Sequence, residues 1–290
     1  MNLALFAATV LIWGTTWIAI ALQIGPVPVP VSVFYRFALA AAILIPVLAL
    51  TGRLPRIARP HWPWIGAQAA CLFSLNFLCF YAATASIPSG LVSVIFSLAT
   101  VYNAINARLF FGDRITGRVL IAGAMGFAGV ALMFRAELAD HPLGAEALRG
   151  IGLAALGTLF FSFGNMISRR NSAAGIAPLT ANAWGMGVGA VILAAIIAAT
   201  GTQVVVPPDG RYLAALIYLS VIGSIIGFTT YLMMVARMGT ARAAYATVMF
   251  PVIALALSSL FEGYRWQPLS ISGLGLALAG NIVLFARQRR

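Results

Sequence analysis

Ten apolar runs separated by short polar links divide the chain at about 3–22, 30–50, 64–84, 88–108, 117–134, 150–168, 178–200, 212–235, 241–261 and 270–286. Each is near the roughly 20 residues that a helix needs to cross about 30 Å of hydrocarbon. Hydrocarbon offers no partner to a free N–H or C=O group, so such spans close their hydrogen bonds internally as helices. Pro26, Pro28 and Pro30 precede or open the second run, Pro88 the fourth, Pro178 the seventh and Pro268 the tenth, where a starting helix tolerates proline. Trp62, Trp64, Tyr212, Tyr264 and Trp266 stand at run ends, as interfacial aromatics do. The pattern predicts an all-α, polytopic membrane protein with ten transmembrane helices.

The fourth run carries a polar line. Counting from Ser86, the residues Ser89, Ser93, Ser97, Thr100 and Asn103 follow at steps of three or four and share one helical face. That face meets other helices or a water-filled cavity rather than lipid. Helix packing is the expectation for Ser89 and Ser93 near the end, and a cavity wall for the deeper Ser97, Tyr102 and Asn103.

Composition removes the soluble alternatives. Of 290 residues, 62% are hydrophobic and only 8% charged, with a mean hydropathy of +0.99, too little polar surface to clothe a soluble domain. All 18 basic residues are arginine against six acids, a net charge of +12. In a soluble chain that balance suggests nucleic acid. Here the arginines lie in short loops and at the C-terminus, so they report topology and no nucleic-acid partner is expected. With both termini placed on the cytoplasmic side, 13 arginines fall on that side, Arg135, Arg149, Arg211 and Arg265 fall outside, and Arg36 alone lies within a span. The N-terminal Met-Asn-Leu-Ala-Leu-Phe lacks a basic n-region and is expected to be retained. Cys71 and Cys79 are separated by about 12 Å of helical rise, too far for a disulfide, and are expected to pack.

Sliding the sequence on itself by about 150 residues pairs Tyr81 with Tyr231, Arg114 with Arg265, Gly123 with Gly273 and Gly129 with Gly280. Five helices per half is an odd number, so the second copy enters the membrane upside down. Two inverted five-helix repeats, 1–148 and 149–290, follow, the architecture of alternating-access carriers with substrate held near the midplane.

Several short motifs carry a family resemblance: Trp13-Gly14, Tyr35-Arg36-Phe37, Gly112-Asp113-Arg114-Ile115-Thr116, Pro251 in the ninth run, and glycine-rich fifth and tenth runs. Over nearly its whole length the chain resembles the ten-helix branch of the drug/metabolite transporter superfamily, with two EamA-type halves, and within it the bacterial aromatic amino-acid exporters. The resemblance implies an exporter of aromatic and other neutral amino acids. Carriage of another small metabolite or drug, and a receptor or scaffold without transport, are the alternatives. Trp184 at the second-half position of Arg36, and Thr100-Val101 without a match for Pro251, depart from repeat symmetry.

No HExxH, GxSxG or Walker loop is present, and the two histidines, His61 and His141, fall in predicted loops. Neither an enzyme nor a cofactor or metal site is expected; the expected partners are an amino-acid substrate and membrane lipid, with the chain acting as a monomer. No Asp or Glu lies in a predicted span, which favours facilitated diffusion over proton coupling. Arg36 either holds a substrate carboxylate through a two-pronged hydrogen bond or snorkels to the surface and helix-end carbonyls. Trp13, Trp17, Phe77, Tyr81, Tyr102, Phe161 and Tyr245, joined by Asn76, Asn103 and Asn165, are the candidate cavity walls, against the alternative of lipid contact or core packing. Pro88, Gly90, Gly239 and Pro251 are candidate gating positions. Gly185-xxx-Gly189 and Gly223-xxx-Gly227 read as close helix packing.

Overall fold

The structure, a computed structural model, describes residues 2–140, 144–238 and 245–285. It contains α1 (Asn2–Ala21), α2 (Val29–Leu50), α3 (Trp62–Ala70 continued by Cys71–Leu75 and Asn76–Thr84), α4 (Ser89–Ser97 followed by Ala99–Phe111) and α5 (Gly117–Asp140). The second half supplies α6 (Ala145–Ala173), α7 (Pro178–Thr200), α8 (Gly210–Ile217 continued by Tyr218–Ile226 and Gly227–Met238), α9 (Tyr245–Phe261) and α10 (Pro268–Phe285). Among the described residues there is no strand. Among the described residues eight helices are long and apolar enough to cross a membrane, and two shorter helices, Met249–Phe261 and Pro268–Val283, are also apolar. The all-α polytopic fold is therefore the one that the apolar runs predict.

Packing maps onto itself when each helix is exchanged for the one five places away. Helix α5 lies along α10, α2 along α7 and α4 along α9; α1 packs on α9 as α6 packs on α4, and α3 packs on α6 and α7 as α8 packs on α1 and α2. Small residues make the closest of these contacts. A Cβ on Gly129 would stand 2.5 Å from the Gly273 carbonyl oxygen, and one on Gly273 would stand 2.6 Å from that of Gly129, so α5 and α10 touch backbone to backbone.

Two features carry no local sequence signature. Helices α3 and α8 each widen into π-helical turns, at Cys71–Leu75 and Tyr218–Ile226, positions related by the same 150-residue offset. Ser74 and Ser224 occupy equivalent places in them. Each donates its hydroxyl to the carbonyl five residues back, Ala69 at 3.3 Å and Leu219 at 2.9 Å, as the wider turn requires. Helix α4 breaks at Leu98, where ψ is −5°, although it has no proline there, whereas α9 runs continuously through Pro251.

Candidate functional site

Arg36 organises the centre of the molecule. Its position on α2 is turned away from lipid and is only 2% exposed, so the guanidinium neither snorkels nor reaches a helix end. Its Nε donates to Ser224 Oγ at 3.1 Å, and its planar face lies 4.4 Å from the Phe77 ring centroid and 5.4 Å from that of Phe37. Nη1 is buried without a hydrogen-bond partner. A second buried orphan donor is Gln23 Nε2, on a residue whose Oε1 accepts the Tyr81 hydroxyl at 2.8 Å. Among the described residues the one ion pair is Arg169–Asp113, so no carboxylate neutralises Arg36.

A cavity of about 60 Å³ opens beside the guanidinium, walled by Trp13, Thr16, Trp17, Ile20, Asn76, Phe77, Phe80, Phe96, Phe161, Gly223, Phe228 and Phe250. Gly223 makes the room: a Cβ there would stand 2.8 Å from Thr16 Cγ2 and 3.6 Å from Arg36 Nη2. Asn76, which lines the cavity, accepts the Phe77 backbone N–H on its Oδ1 at 2.8 Å. Edge-on ring contacts knit the wall together: Trp17 to Phe80 at 5.5 Å, Phe80 to Phe96 at 5.3 Å and Phe96 to Phe161 at 4.7 Å between centroids. So small a space holds only a few waters.

Trp13, Phe96, Phe161 and Phe228 also line a second cavity of about 450 Å³. This chamber carries Thr100, Asn103, Asn165 and Asn182 and reaches Arg169 at the ends of α4 and α6. Asn165 Nδ2 donates to Asn103 Oδ1 at 3.3 Å across it. At its mouth Arg169 Nη1 meets Asp113 Oδ2 at 2.6 Å, and that hydrogen bond holds the exposed carboxyl below its ordinary range. Among the described residues no acidic side chain lines either cavity.

The opposite end is closed. Both Glu262 oxygens accept the Ser89 N–H at the start of α4, at 3.1 Å each, and Oε2 also accepts the Ser89 hydroxyl at 2.5 Å and that of Ser258. Ser258 Oγ in turn accepts the Gly90 N–H at 2.8 Å. A Cβ on Gly90 would lie 2.8 Å from Leu255 Cα, so α4 and α9 touch there. Beyond this seal a polar vestibule of about 460 Å³ contains Asp209, Arg211, Tyr212 and Glu262.

The structure thus gathers Trp13, Trp17, Arg36, Asn76, Phe77 and Phe161 around the small cavity, and Trp13, Asn103, Phe161 and Asn165 around the large one. Tyr81 is fully buried behind them, and Ser97 and Tyr102 line neither cavity. The Ser97 hydroxyl closes on Val94 O at 2.6 Å, and the regular turn of this part of α4 ends at the next residue, Leu98. Ser93 likewise turns back to Gly90 O, and Thr100 bonds Asn281 Oδ1 of α10 at 2.8 Å, so most of the polar line is packing. Pro88 caps the start of α4, and Pro251 sits inside α9. Gly239 lies outside the described residues, as does the Tyr245 side chain. Thr16, Phe80, Phe96, Gly223, Phe228 and Phe250 join the wall without having been singled out for it; the glycine spacing of α8 signals its close approach to α1 and α2 but not the space beside Arg36.

A multi-pass helical bundle with twofold internal packing, a sealed end and a deep chamber at the other has the build of a small-molecule carrier. The chain belongs to the EamA-like transporter family, whose model matches residues 1–135 and 148–286. It is 26% identical over 286 residues to the inner membrane transporter YedA of Escherichia coli K12, covering 97% of this chain and 89% of that one. A probable amino-acid metabolite efflux pump of the same organism is 22% identical over 281 residues, covering 93% and 90%. A probable terminal-alkyne amino-acid exporter of Streptantibioticus cattleyicolor is 24% identical over 282 residues, covering 96% and 91%. One crystal structure superposes with a TM-score of 0.70 at 18% identity over 97% of this chain and 95% of that chain, a likeness of fold.

Proposed function

We propose that this transporter exports aromatic and other neutral amino acids across the bacterial inner membrane by alternating access of two inverted halves, residues 1–148 and 149–290. The observation that carries the reading is Arg36, a buried cation with a free Nη1, beside an aromatic cavity whose walls contain no acid. A substrate carboxylate matches that guanidinium. The ammonium group and an aromatic side chain match the ring faces and edges of Trp13, Trp17, Phe96 and Phe250. The large chamber admits substrate from the arginine-rich side, taken as cytoplasmic together with both termini. Closure around the substrate requires Trp13, Phe96, Phe161 and Phe228 to part, since the small cavity does not hold an amino acid in this state. Export runs down the substrate's own gradient, since neither cavity offers a proton-binding carboxylate.

Counterflow of labelled phenylalanine and threonine in proteoliposomes tests the reading. Flux is expected from the native protein, and phenethylamine, which lacks the carboxylate, is expected not to compete. Competition by phenethylamine equal to that by phenylalanine would remove the carboxylate from the recognition scheme, and strict dependence on a pH gradient would remove facilitated diffusion.

A further inference from the structure

Away from the transport path, the lipid-facing side of the bundle has a groove of about 460 Å³ between the start of α3, the end of α4 and the last turns of α6. Its floor and walls are Trp64, Phe110, Phe111, Phe163 and Ile167, and its one charged lining residue is Arg170. The apolar walls are open: Phe110 is 61% exposed, Trp64 43% and Phe111 39%. Two successive arginines of α6 bracket the upper end. Arg169 lies 4.2 Å from the Phe111 ring centroid on one wall, and Arg170 lies 4.3 Å from that of Trp64 on the other. Asp113 matches the charge of Arg169. Arg170 has no acidic partner among the described residues; its Nη1 donates to Asn171 Oδ1 at 3.1 Å and lies 3.5 Å from His61 Nδ1, which hold it in place.

We propose that this groove is a binding site for an anionic phospholipid, with an acyl chain along the aromatic walls and the phosphate on Arg170. In a bilayer the groove is filled by hydrocarbon, whose chains run parallel to these helices. What distinguishes it from ordinary lipid contact is the fixed guanidinium at the level of the headgroups, at the end of the molecule that carries Arg108 and Arg114 as well. Arginine pairs with phosphate through two parallel hydrogen bonds, and stacking on Trp64 with Nη1 turned to Asn171 and His61 leaves the Nε–Nη2 edge to do so. A zwitterionic headgroup presents the same phosphate with a compensating ammonium, so the site discriminates by net charge.

The test is native mass spectrometry of the delipidated full chain, titrated with phosphatidylglycerol and phosphatidylethanolamine of identical acyl chains. Phosphatidylglycerol is expected to be retained about fivefold more, the ratio that one arginine contributes at an anionic surface. Arg170→Gln is expected to bring the two lipids level. Should that variant fail to fold, Ile167→Trp narrows the groove with the charge intact and is expected to lower the number of bound lipids of both kinds. Equal retention by the native chain, an undiminished preference in Arg170→Gln, unchanged occupancy in Ile167→Trp, or a dimer that excludes lipid from the groove would each overturn the proposal.

Discussion

The two π-helical turns are copies of one device put to different uses. In α3, Phe73 occupies the space next to the turn and fits against α7, where a Cβ on Gly185 or Gly189 would come within 2.7 and 2.9 Å of its atoms. Ser74 beside it donates to the Gly189 carbonyl at 3.3 Å and fastens the two helices. In α8 the equivalent of Phe73 is Gly223, and the vacated space holds the Arg36 guanidinium and part of the central cavity. Ser224, the equivalent of Ser74, accepts Arg36 Nε there. The first half has filled the position with a ring and gained packing, while the second half has emptied it and gained cavity space beside Arg36. Divergence between repeats of the same fold thus gives a symmetric scaffold one cavity at this position rather than two.

The comparison predicts that equivalent substitutions move different quantities. Phe73→Ala opens a hole in a fully buried contact and is expected to lower stability by about 3–5 kcal/mol, read as the midpoint of unfolding in detergent, while substrate affinity stays within twofold. Arg36→Gln is expected to do the reverse. Losing a charged hydrogen bond in a dry site raises the phenylalanine Kd about tenfold to hundredfold, measured by isothermal titration, with the unfolding midpoint nearly unchanged. A smaller split separates the serines. Ser224→Ala frees the guanidinium and is expected to weaken binding about threefold to tenfold, whereas Ser74→Ala costs about 1 kcal/mol of stability and leaves binding alone. Equal behaviour of the two serine variants in both assays would erase the distinction between the turns.

Protonation of Asp113 at the chamber mouth has the smallest expected effect. Its carboxyl is held low by Arg169 and contributes stability above its unfolded value, losing it as the pH falls through the lower folded value. Unfolding midpoints should therefore be flat from about pH 5 to 8 as far as this pair is concerned and fall only below about pH 4. Asp113→Asn should abolish that acid limb. The pair is exposed, so salt should weaken it as well.

Much of this arrangement could be read in the amino-acid order. Long apolar runs fix helices in hydrocarbon because no other backbone solution exists, whereas a lone Arg36 in a span could equally have snorkelled outward, and only the structure shows it buried. Trp13, Trp17, Asn76, Phe77, Phe161, Asn103 and Asn165 were recognisable as aromatic and amide groups at suitable depth. What escaped has a common cause. The π turns at Cys71–Leu75 and Tyr218–Ile226 and the break at Leu98 each shift the angular register of everything that follows, so faces drawn with a regular 3.6-residue period drift away from the cavity. Asn103 beyond the break lines the large cavity, whereas Ser97 before it and Tyr102 after it line neither cavity. Gly223 escaped for a different reason, since a glycine reports that something comes close but not what.

The unpaired arginine also has an electrical consequence. If the cargo is a neutral amino acid held beside Arg36, as proposed, its binding adds no net charge, and loaded and empty carrier present the same charge to the membrane field. A potential of 100 mV acts with about 2.3 kcal/mol on each charge that crosses it, and that work cancels over a cycle in which the same guanidinium goes out with cargo and returns without it. Voltage then sets how fast each half of the cycle runs, not how far the substrate is concentrated. Accumulation ratios measured under potassium-valinomycin clamps should be independent of voltage, and any slope against it would count the ions that travel with the amino acid.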